Sequence, residues 1–255
     1  MKYFLIILML ISIVPLSSAF AVDSIISEEI EYIVDGQSFK GLLTYDSSIQ
    51  GKRPGILVVH EWQGINDYAK KRAMDLAKEG YVAFALDMYG DGKEVPRSDA
   101  ASISRRVGSD FDLISKRFNA ALDIIKGHKY TDDNNIAAIG YCFGGGIVLN
   151  MARMGTDING VVGFHSSLNT GLTAKSGDIN TKILAIQGDM DPVAPLEKQT
   201  AFENEMKASG ADYTYIIYDN VKAHNFTNPA GSSYYEKEAE MAWDSMLGFF
   251  DSIFN

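Results

Sequence analysis

Residues 140–146 have the sequence Gly-Tyr-Cys-Phe-Gly-Gly-Gly, and the fold of this 255-residue chain is best predicted outward from them. The apolar run from Asn135 to Ile139 before them is typical of a buried strand, and Ile147 to Arg153 after them has the pattern of a helix. A sharp strand-to-helix turn with a nucleophile at its apex is a nucleophile elbow, in which glycines let helix and strand approach closely. The sequence therefore predicts that Cys142, the only cysteine of the chain, is a nucleophile at such a turn.

The composition fits one globular domain of the α/β class. Hydrophobic residues make up 46% and charged residues 22% of the chain, as in ordinary globular proteins. The formal net charge is -10 and the basic residues are scattered, so we expect no nucleic-acid partner. Because no repeat, low-complexity tract or linker interrupts the chain, we predict a single domain over residues 22–255.

The first 21 residues have the pattern of a signal peptide. Lys2 is followed by an apolar run over residues 4–14, and Ala19-Phe20-Ala21 fits the small-residue cleavage pattern. The alternative is a retained membrane anchor, but the apolar run is shorter than the roughly 20 residues of a membrane span. The sequence therefore predicts an exported protein, periplasmic or secreted, with no stable membrane anchor after cleavage of residues 1–21.

Beyond the predicted signal peptide, strand patterns and helix patterns alternate. A hairpin over residues 28–45 turns at Asp35-Gly36, and a turn is predicted at residues 51–55. The weakly periodic residues 93–108 suggest a loop with a short helix that covers the site as a lid. Further strands are predicted at 56–59, 81–86, 135–139, 160–164, 182–187 and 211–218, and helices at 67–80, 111–125, 147–153, 195–208 and 234–250. This alternation predicts a mostly parallel central sheet with helices on both faces.

Two later loops supply the groups that a thiol nucleophile needs. In an elbow hydrolase the chain order is nucleophile, acid, base, and each partner follows the carboxyl end of a strand. Asp191 follows the strand at 182–187 and is the better candidate for the acid, whereas Asp189 is expected to support the turn. His224 follows the last strand and is the candidate base. The chain thus has the order of a Cys–Asp–His triad.

Backbone donors for a developing oxyanion are expected at the N–H groups of Phe143 and Trp62. Glu61 precedes Trp62, and from the residues alone it is equally well a solvated loop residue. The histidines lack the spacing of metal ligands and a second cysteine is missing, so we expect neither a metal nor a cofactor. Other candidates for the wall of the pocket are His60, Tyr141, His165, Phe226 and Asn228.

Four segments resemble the dienelactone hydrolase family. They are the elbow at 140–145, Asp191 in its Gly-Asp-x-Asp-Pro-Val setting, Ala223-His224-x-Phe226, and His60 to Asn66, which is similar to the family's Gln-Glu-x-x-Gly-x-Asn loop. The resemblance spans residues 29–252. It implies an α/β-hydrolase fold, a triad of Cys142, His224 and Asp191, and hydrolysis of ester or lactone bonds as by carboxymethylenebutenolidase. It also implies that Glu61 interacts with the resting cysteine and helps to generate the thiolate when substrate binds.

The chain departs from the family at a substrate-binding arginine. Where the family has His-Ser-Phe-Ala-Arg, this chain has His224-Asn225-Phe226-Thr227-Asn228, so dienelactone itself is not implied as the substrate. Arg97, Arg105 and Arg106 remain candidates for a cation near the pocket. We expect a monomeric hydrolase of small-molecule esters or lactones that works through an acyl-enzyme. A thioesterase or peptidase on the same scaffold, and an exported binding protein without turnover, are the alternatives.

Overall fold

The computed structural model describes residues 24–168 and 171–254, so the predicted signal peptide lies outside the described residues. Strands and helices alternate along most of this part of the chain. In chain order they are β1 (Ile25–Val34), β2 (Gln37–Asp46), β3 (Arg53–Val59), α1 (Asp67–Lys78), β4 (Val82–Leu86), α2 (Arg97–Gly108), α3 (Phe111–Gly127), β5 (Thr131–Tyr141), α4 (Phe143–Arg153), β6 (Gly160–Phe164), β7 (Lys182–Gly188), α5 (Leu196–Ser209), β8 (Tyr213–Tyr218) and α6 (Glu236–Ile253).

The described strands form one eight-stranded sheet in the order β1-β2-β4-β3-β5-β6-β7-β8. β1 and β2 pair antiparallel at one edge, and β2 also runs antiparallel to β4. All other pairs are parallel. The hairpin turns at Asp35 and Gly36, both at positive φ, as a two-residue hairpin turn requires. The mostly parallel sheet predicted from the sequence is therefore confirmed.

Two apolar layers lie on opposite faces of the sheet. In β3, Leu57 and Val59 join the layer that includes residues of α3, α4 and α5. Ile56 and Val58 join the opposite layer, which includes residues of α1 and α6. Side chains in a strand alternate between its faces, so a strand that is apolar at every position must be covered on both. Because the central strands are buried on both faces, their carboxyl ends have fixed positions. The loops that follow these strands therefore lie together along the side of the sheet where the parallel strands end.

Two local predictions were wrong in detail. The predicted turn at residues 51–55 is partly strand, because β3 begins at Arg53, whose guanidinium donates to the carbonyl of Asp46 at 2.7 Å. The predicted loop over residues 93–108 contains a twelve-residue helix, α2. Only Ala100 and Val107 of this helix are buried, which explains why its apolar periodicity is weak. In the described part of the chain, no helix combines the length and apolarity needed to cross a membrane.

Candidate active site

Cys142 lies at the junction between β5 and α4, in a strained backbone conformation. Its φ is 55° and its ψ is -111°, a region that residues with a side chain rarely adopt. Hydrogen bonds hold the junction: the N–H of Cys142 donates to the carbonyl of Phe164 at 3.0 Å, and its own carbonyl accepts from the N–H of Ser167 at 3.2 Å. The strain is sustained because both flanking elements are buried, and it directs the thiol out of the edge of the sheet.

Glycines make this tight turn possible. A Cβ at Gly140 would overlap the carbonyl of Gly144, and a Cβ at Gly144 would overlap the carbonyl oxygen of Val59. Both obstacles are backbone atoms, which cannot rotate away as a side chain can. The two glycines therefore set the distance at which α4 passes over β3 and β5, as the sequence predicts for an elbow.

The loops after β7 and β8 bring Asp191 and His224 together. Nδ1 of His224 lies 2.7 Å from Oδ2 of Asp191. The carboxylate is fully buried and also accepts from the amide of Gln187 and from the N–H of Val193 at 2.8 Å. Asp189 has a different position, because its Oδ1 accepts from the N–H of Val221 at 3.1 Å and so ties the two loops together.

The surroundings of His224 favour its protonated form. Burial is the largest influence and lowers the pKa of the imidazole, but the hydrogen bond to Asp191 and the neighbouring Cys142 thiol together raise the pKa to about 10. Nε2 of His224 is buried, and no partner among the described residues lies within ordinary hydrogen-bond geometry. Loose contact of this kind between a thiol and its base is common in active sites and tightens when substrate binds.

Glu61 is a buried residue and not a solvated one. Its exposed fraction is 8%, and burial raises the pKa of its carboxyl, while a hydrogen bond from Asn228 and the nearby His224 lower it. Nδ2 of Asn228 lies 3.3 Å from Oε2 of Glu61. The structure thus brings Glu61 to the same cavity as Cys142 and His224.

The cavity has a volume of about 1130 Å³ and an uneven charge distribution. Its wall includes Trp62, Phe143, Arg97, Arg105 and Lys198, besides the residues already described. The guanidinium of Arg97 lies 5.7 Å from the centre of the Trp62 ring, and Arg105 follows two turns later on α2, whereas Arg106 does not line the cavity. Three cations therefore line the cavity in a protein whose net charge is -10. α2 forms one wall, as expected of a segment over the site.

Four of the expected pocket residues do not line the cavity; of the five, only Asn228 does. His60, Tyr141, His165 and Phe226 are fully buried behind it. For Tyr141, the last residue of β5, the physical reason is strand alternation, which places its side chain in one apolar layer of the sheet. Tyr141 accordingly stacks on Phe164 with ring centres 4.7 Å apart.

The two buried histidines support the site from behind. His60 accepts from the N–H of Met88 at Nε2, so its proton lies on Nδ1, which donates to the carbonyl of Glu61 at 2.6 Å. Nε2 of His165 lies 2.8 Å from the Thr227 hydroxyl, and its ring contacts that of His224 edge-on at 5.2 Å. Burial lowers the pKa of both rings. They are thus neutral supports that fix the loops after β3 and β8.

Sequence reasoning missed Gln187 and Lys198. Gln187 bonds to Asp191 from the end of β7, and its signal in the sequence is a polar residue in an otherwise apolar strand. Lys198 reaches the cavity from α5, which no sequence pattern indicates. Among the described residues, no group of three histidine, cysteine or acidic side chains could hold a metal ion.

Comparison with known proteins agrees with this geometry. The family model described as "Dienelactone hydrolase family" matches residues 39–254. The "Probable 2-oxo-3-(5-oxofuran-2-ylidene)propanoate lactonase" of Bradyrhizobium sp is 27% identical over 209 residues, which are 78% of this chain and 84% of that protein. "Protein usf" of Aquifex pyrophilus is 26% identical over 228 residues, which are 87% of this chain and 96% of that protein.

Solved structures extend the likeness to three dimensions. The crystal structure of a dienelactone hydrolase-like promiscuous phosphotriesterase from metagenomic libraries superposes with a TM-score of 0.84 and 30% identity, over 91% of this chain and 100% of that one. An acylaminoacyl peptidase of Pyrococcus horikoshii, with a TM-score of 0.70 and 14% identity over 91% of this chain and 42% of that one, shares the fold alone. This chain belongs to the dienelactone hydrolase family, and it is an α/β-fold hydrolase that acts on ester or lactone bonds.

Proposed function

We propose that the chain hydrolyses small-molecule carboxylic esters or lactones through an acyl-enzyme formed on Cys142. One observation carries the proposal: the thiol on the strained elbow opens into the same cavity as His224, whose Nδ1 lies 2.7 Å from the buried carboxylate of Asp191. A nucleophile, a base and a group that orients the base are thereby assembled from three separate loops.

In the first half of the reaction, Nε2 of His224 holds the proton given up by the Cys142 thiol, and the thiolate attacks the carbonyl carbon of the substrate. Phe143 begins α4, so its N–H has no partner within the helix and is available to the oxyanion. The N–H of Trp62 is the second donor, from the loop after β3. When the tetrahedral adduct collapses, the carbon–oxygen bond breaks and the leaving alkoxide receives the proton from His224.

In the second half, water attacks the thioester that links the acyl group to Cys142. His224 takes a proton from that water, and the carbon–sulfur bond breaks as the carboxylic acid forms and the thiolate departs. Asp191 holds the imidazole with Nδ1 protonated throughout, so that Nε2 always faces the reacting atoms. Glu61 governs the ionisation of Cys142 in this scheme, as the family resemblance implies.

The cavity supports a substrate larger than a single lactone ring. Its volume of about 1130 Å³ is slightly above the range of ordinary ligand pockets, which is roughly 300–1,000 Å³. A lactonase and a promiscuous phosphotriesterase are among the similar proteins, which supports lactones as well as linear esters as candidates. Phosphate triesters should therefore be assayed as substrates together with esters and lactones.

The decisive experiment is a panel of esters, lactones and phosphate triesters, assayed with wild-type protein, Cys142→Ala and His224→Ala. We expect hydrolysis of at least one carboxylic ester or lactone, with kcat/KM reduced by about 10³-fold or more in both variants. Unchanged rates in the two variants would reject the acyl-enzyme mechanism. Thioesters and aminoacyl peptides in the same panel test the thioesterase and peptidase alternatives.

The single thiol also tests the binding-protein alternative. Mass spectrometry after brief incubation with iodoacetamide reports on Cys142 alone, because the chain has only one cysteine. An enzyme with an accessible nucleophile is modified once and loses its hydrolytic activity in parallel. An unreactive thiol in a folded protein without hydrolytic activity would favour a binding protein.

We further propose that the protein is exported, monomeric and free of cofactors, after cleavage behind Ala21. The N-terminal pattern of Lys2, an apolar run and small residues supports the export step. Sequencing the N-terminus of protein recovered from the cell exterior or periplasm tests it, and Val22 is expected as the first residue. Protein retained in the membrane with Met1 intact would contradict cleavage.

A further inference from the structure

The side chain of Asn228 is fixed by two hydrogen bonds in the loop after β8. Its Oδ1 accepts from the N–H of Ala230 at 3.0 Å, and its Nδ2 donates to Oε2 of Glu61 at 3.3 Å. Because a backbone N–H can only donate, the oxygen of the amide must face Ala230 and the NH₂ group must face Glu61. The backbone N–H of Asn228 also donates to the carbonyl of Asn225 at 3.1 Å, so the loop holds the amide in place.

Among the residues that the structure describes, few polar groups influence the charge of Glu61. The groups that act on its carboxyl are Asn228 and His224 from the loop after β8, with the Cys142 thiol on the same cavity wall. Tyr68 on α1 and Tyr141 on β5 also interact electrostatically with Glu61. Burial raises the pKa of Tyr68 to about 12 and that of Tyr141 well above its usual value, so both stay neutral.

We propose that Asn228 is a positioning residue for this reaction: its neutral NH₂ group fixes the carboxyl of Glu61 in the cavity wall and thereby sets the pH below which Glu61 is protonated and the site inactive. The inference deepens the proposed function and rests on it. A cation in this place would favour the ionised form of Glu61 more strongly, because charge-assisted hydrogen bonds are about twice as strong as neutral ones. A neutral donor favours the ionised form less strongly, so burial keeps the pKa of the Glu61 carboxyl above its ordinary value.

Asn228→Asp tests the proposal without disturbing the loop. One oxygen of the introduced carboxylate would keep the bond from the N–H of Ala230, and the other would face Glu61. Two carboxyl groups at this separation share one proton, so the pair binds a proton up to a higher pH. We expect the acid limb of the kcat/KM profile to move upward by about one pH unit or more.

Asn225→Asp is the matched control. Asn225 lies in the same loop and lines the same cavity, but none of its described hydrogen bonds reaches Glu61. The same charge is therefore added without the contact, and we expect the acid limb to move by less than about half a unit. Equal shifts in the two variants would overturn the proposal, because cavity charge alone would then explain them.

A Glu61→Gln background separates positioning from loop structure. When Asn228→Asp is added to it, the amide introduced at position 61 donates to the carboxylate introduced at position 228, so the hydrogen bond is rebuilt with donor and acceptor exchanged. We expect Asn228→Asp to leave the acid limb of Glu61→Gln in place. If Asn228 only shaped the loop, Asn228→Asp would lower kcat/KM by the same factor at every pH in both backgrounds, which would overturn the proposal.

Carbon-13 NMR of glutamate carboxyls provides a readout that does not depend on turnover. The Glu61 signal is the one lost in Glu61→Gln, and its titration midpoint should rise in Asn228→Asp and not in Asn225→Asp. If the Glu61 midpoint rises in Asn228→Asp but the wild-type protein hydrolyses no ester, the Asn228–Glu61 contact is upheld and the reaction assigned to Cys142 is rejected. If the Glu61 midpoint stays unchanged in Asn228→Asp while ester hydrolysis depends on Cys142, the inference is overturned and the proposed reaction stands.

Discussion

Nδ1 of His224 and Oδ2 of Asp191 lie 2.7 Å apart, although the two residues are 33 positions apart in the chain. β7 and β8 are parallel neighbours, so their carboxyl ends place the two loops side by side. Asp191→Asn keeps the shape of the side chain but allows the wrong tautomer of His224. We expect kcat to fall by about 10²- to 10⁴-fold, measured on the best ester of the panel.

Asp189→Asn is the control for that substitution. Asp189 lies in the same loop but accepts from the N–H of Val221 and not from His224. We expect kcat within about threefold of the wild type and a melting temperature close to it, since the amide oxygen of the asparagine can still accept from the N–H of Val221. Equal losses of kcat in the two variants would contradict the assignment of Asp191 as the orienting acid.

The strain at Cys142 predicts an unusual order of stabilities. At φ 55° and ψ -111°, a side chain costs about 1–3 kcal/mol in backbone strain that glycine avoids. Cys142→Gly should therefore unfold with a free energy equal to or higher than that of Cys142→Ala, although glycine is ordinarily the more destabilising residue. Urea unfolding of both variants checks this. A Cys142→Gly variant that is clearly less stable would mean that the elbow is relaxed.

The glycines of the elbow should not tolerate even one methyl group. A Cβ at Gly144 would overlap the backbone carbonyls of Val59 and His60, whereas a Cβ at Gly248 on α6 would meet nothing within 4 Å. We expect Gly144→Ala to lose about 2–3 kcal/mol or to fail to fold, as overpacked cores do. Gly248→Ala should gain about 0.5–1 kcal/mol from helix propensity. Thermal and urea unfolding check both predictions. A Gly144→Ala variant as stable as the wild type, or a clearly destabilised Gly248→Ala variant, would contradict them.

The ionisation of His224 makes stability depend on pH. Asp191 and Cys142 raise the pKa of His224 against the effect of burial, so folding favours the bound proton. This stabilisation is complete below the ordinary histidine value of 6.5 and is lost as pH rises through the folded-state pKa of about 10. The difference in unfolding free energy between wild type and His224→Gln should therefore shrink as pH rises, by at most about 1.4 kcal/mol per unit. A difference that grows with pH would contradict the raised pKa.

The cations that line the cavity predict a preference for negatively charged esters. Arg97 and Arg105 line the cavity, and both are exposed, so solvent screens them. Arg97→Gln and Arg105→Gln should each lower kcat/KM for an anionic ester by about three- to tenfold relative to a neutral ester of the same size. Arg106→Gln serves as the control, because Arg106 lies on the same helix outside the cavity wall. If kcat/KM for the neutral ester fell by the same factor as kcat/KM for the anionic ester, the substitutions would instead have damaged α2.

Much of the architecture could be predicted from local patterns. The apolar runs of β3 to β7 indicate strands covered on both faces, and Asp35-Gly36 specifies the hairpin turn, because these signals depend only on neighbouring residues. The length of α2 was underestimated, since a helix that buries only Ala100 and Val107 has little apolar periodicity to detect. The start of β3 was misplaced because Arg53 is buried through tertiary contacts.

By itself, the sequence determined that a lone cysteine follows a strand, precedes a helix and is surrounded by glycines, and that Asp191 and His224 follow later strands in the order of a triad. Chain order carries that information because parallel strands bring their carboxyl ends to one edge of the sheet. Only the tertiary structure decided which side chains reach the cavity. Cys142 lines the cavity whereas its neighbour Tyr141 is buried, and burial raises the pKa of Glu61 beside the neutral amide of Asn228. Burial and the direction of a side chain depend on elements distant in sequence, so no local pattern specifies them.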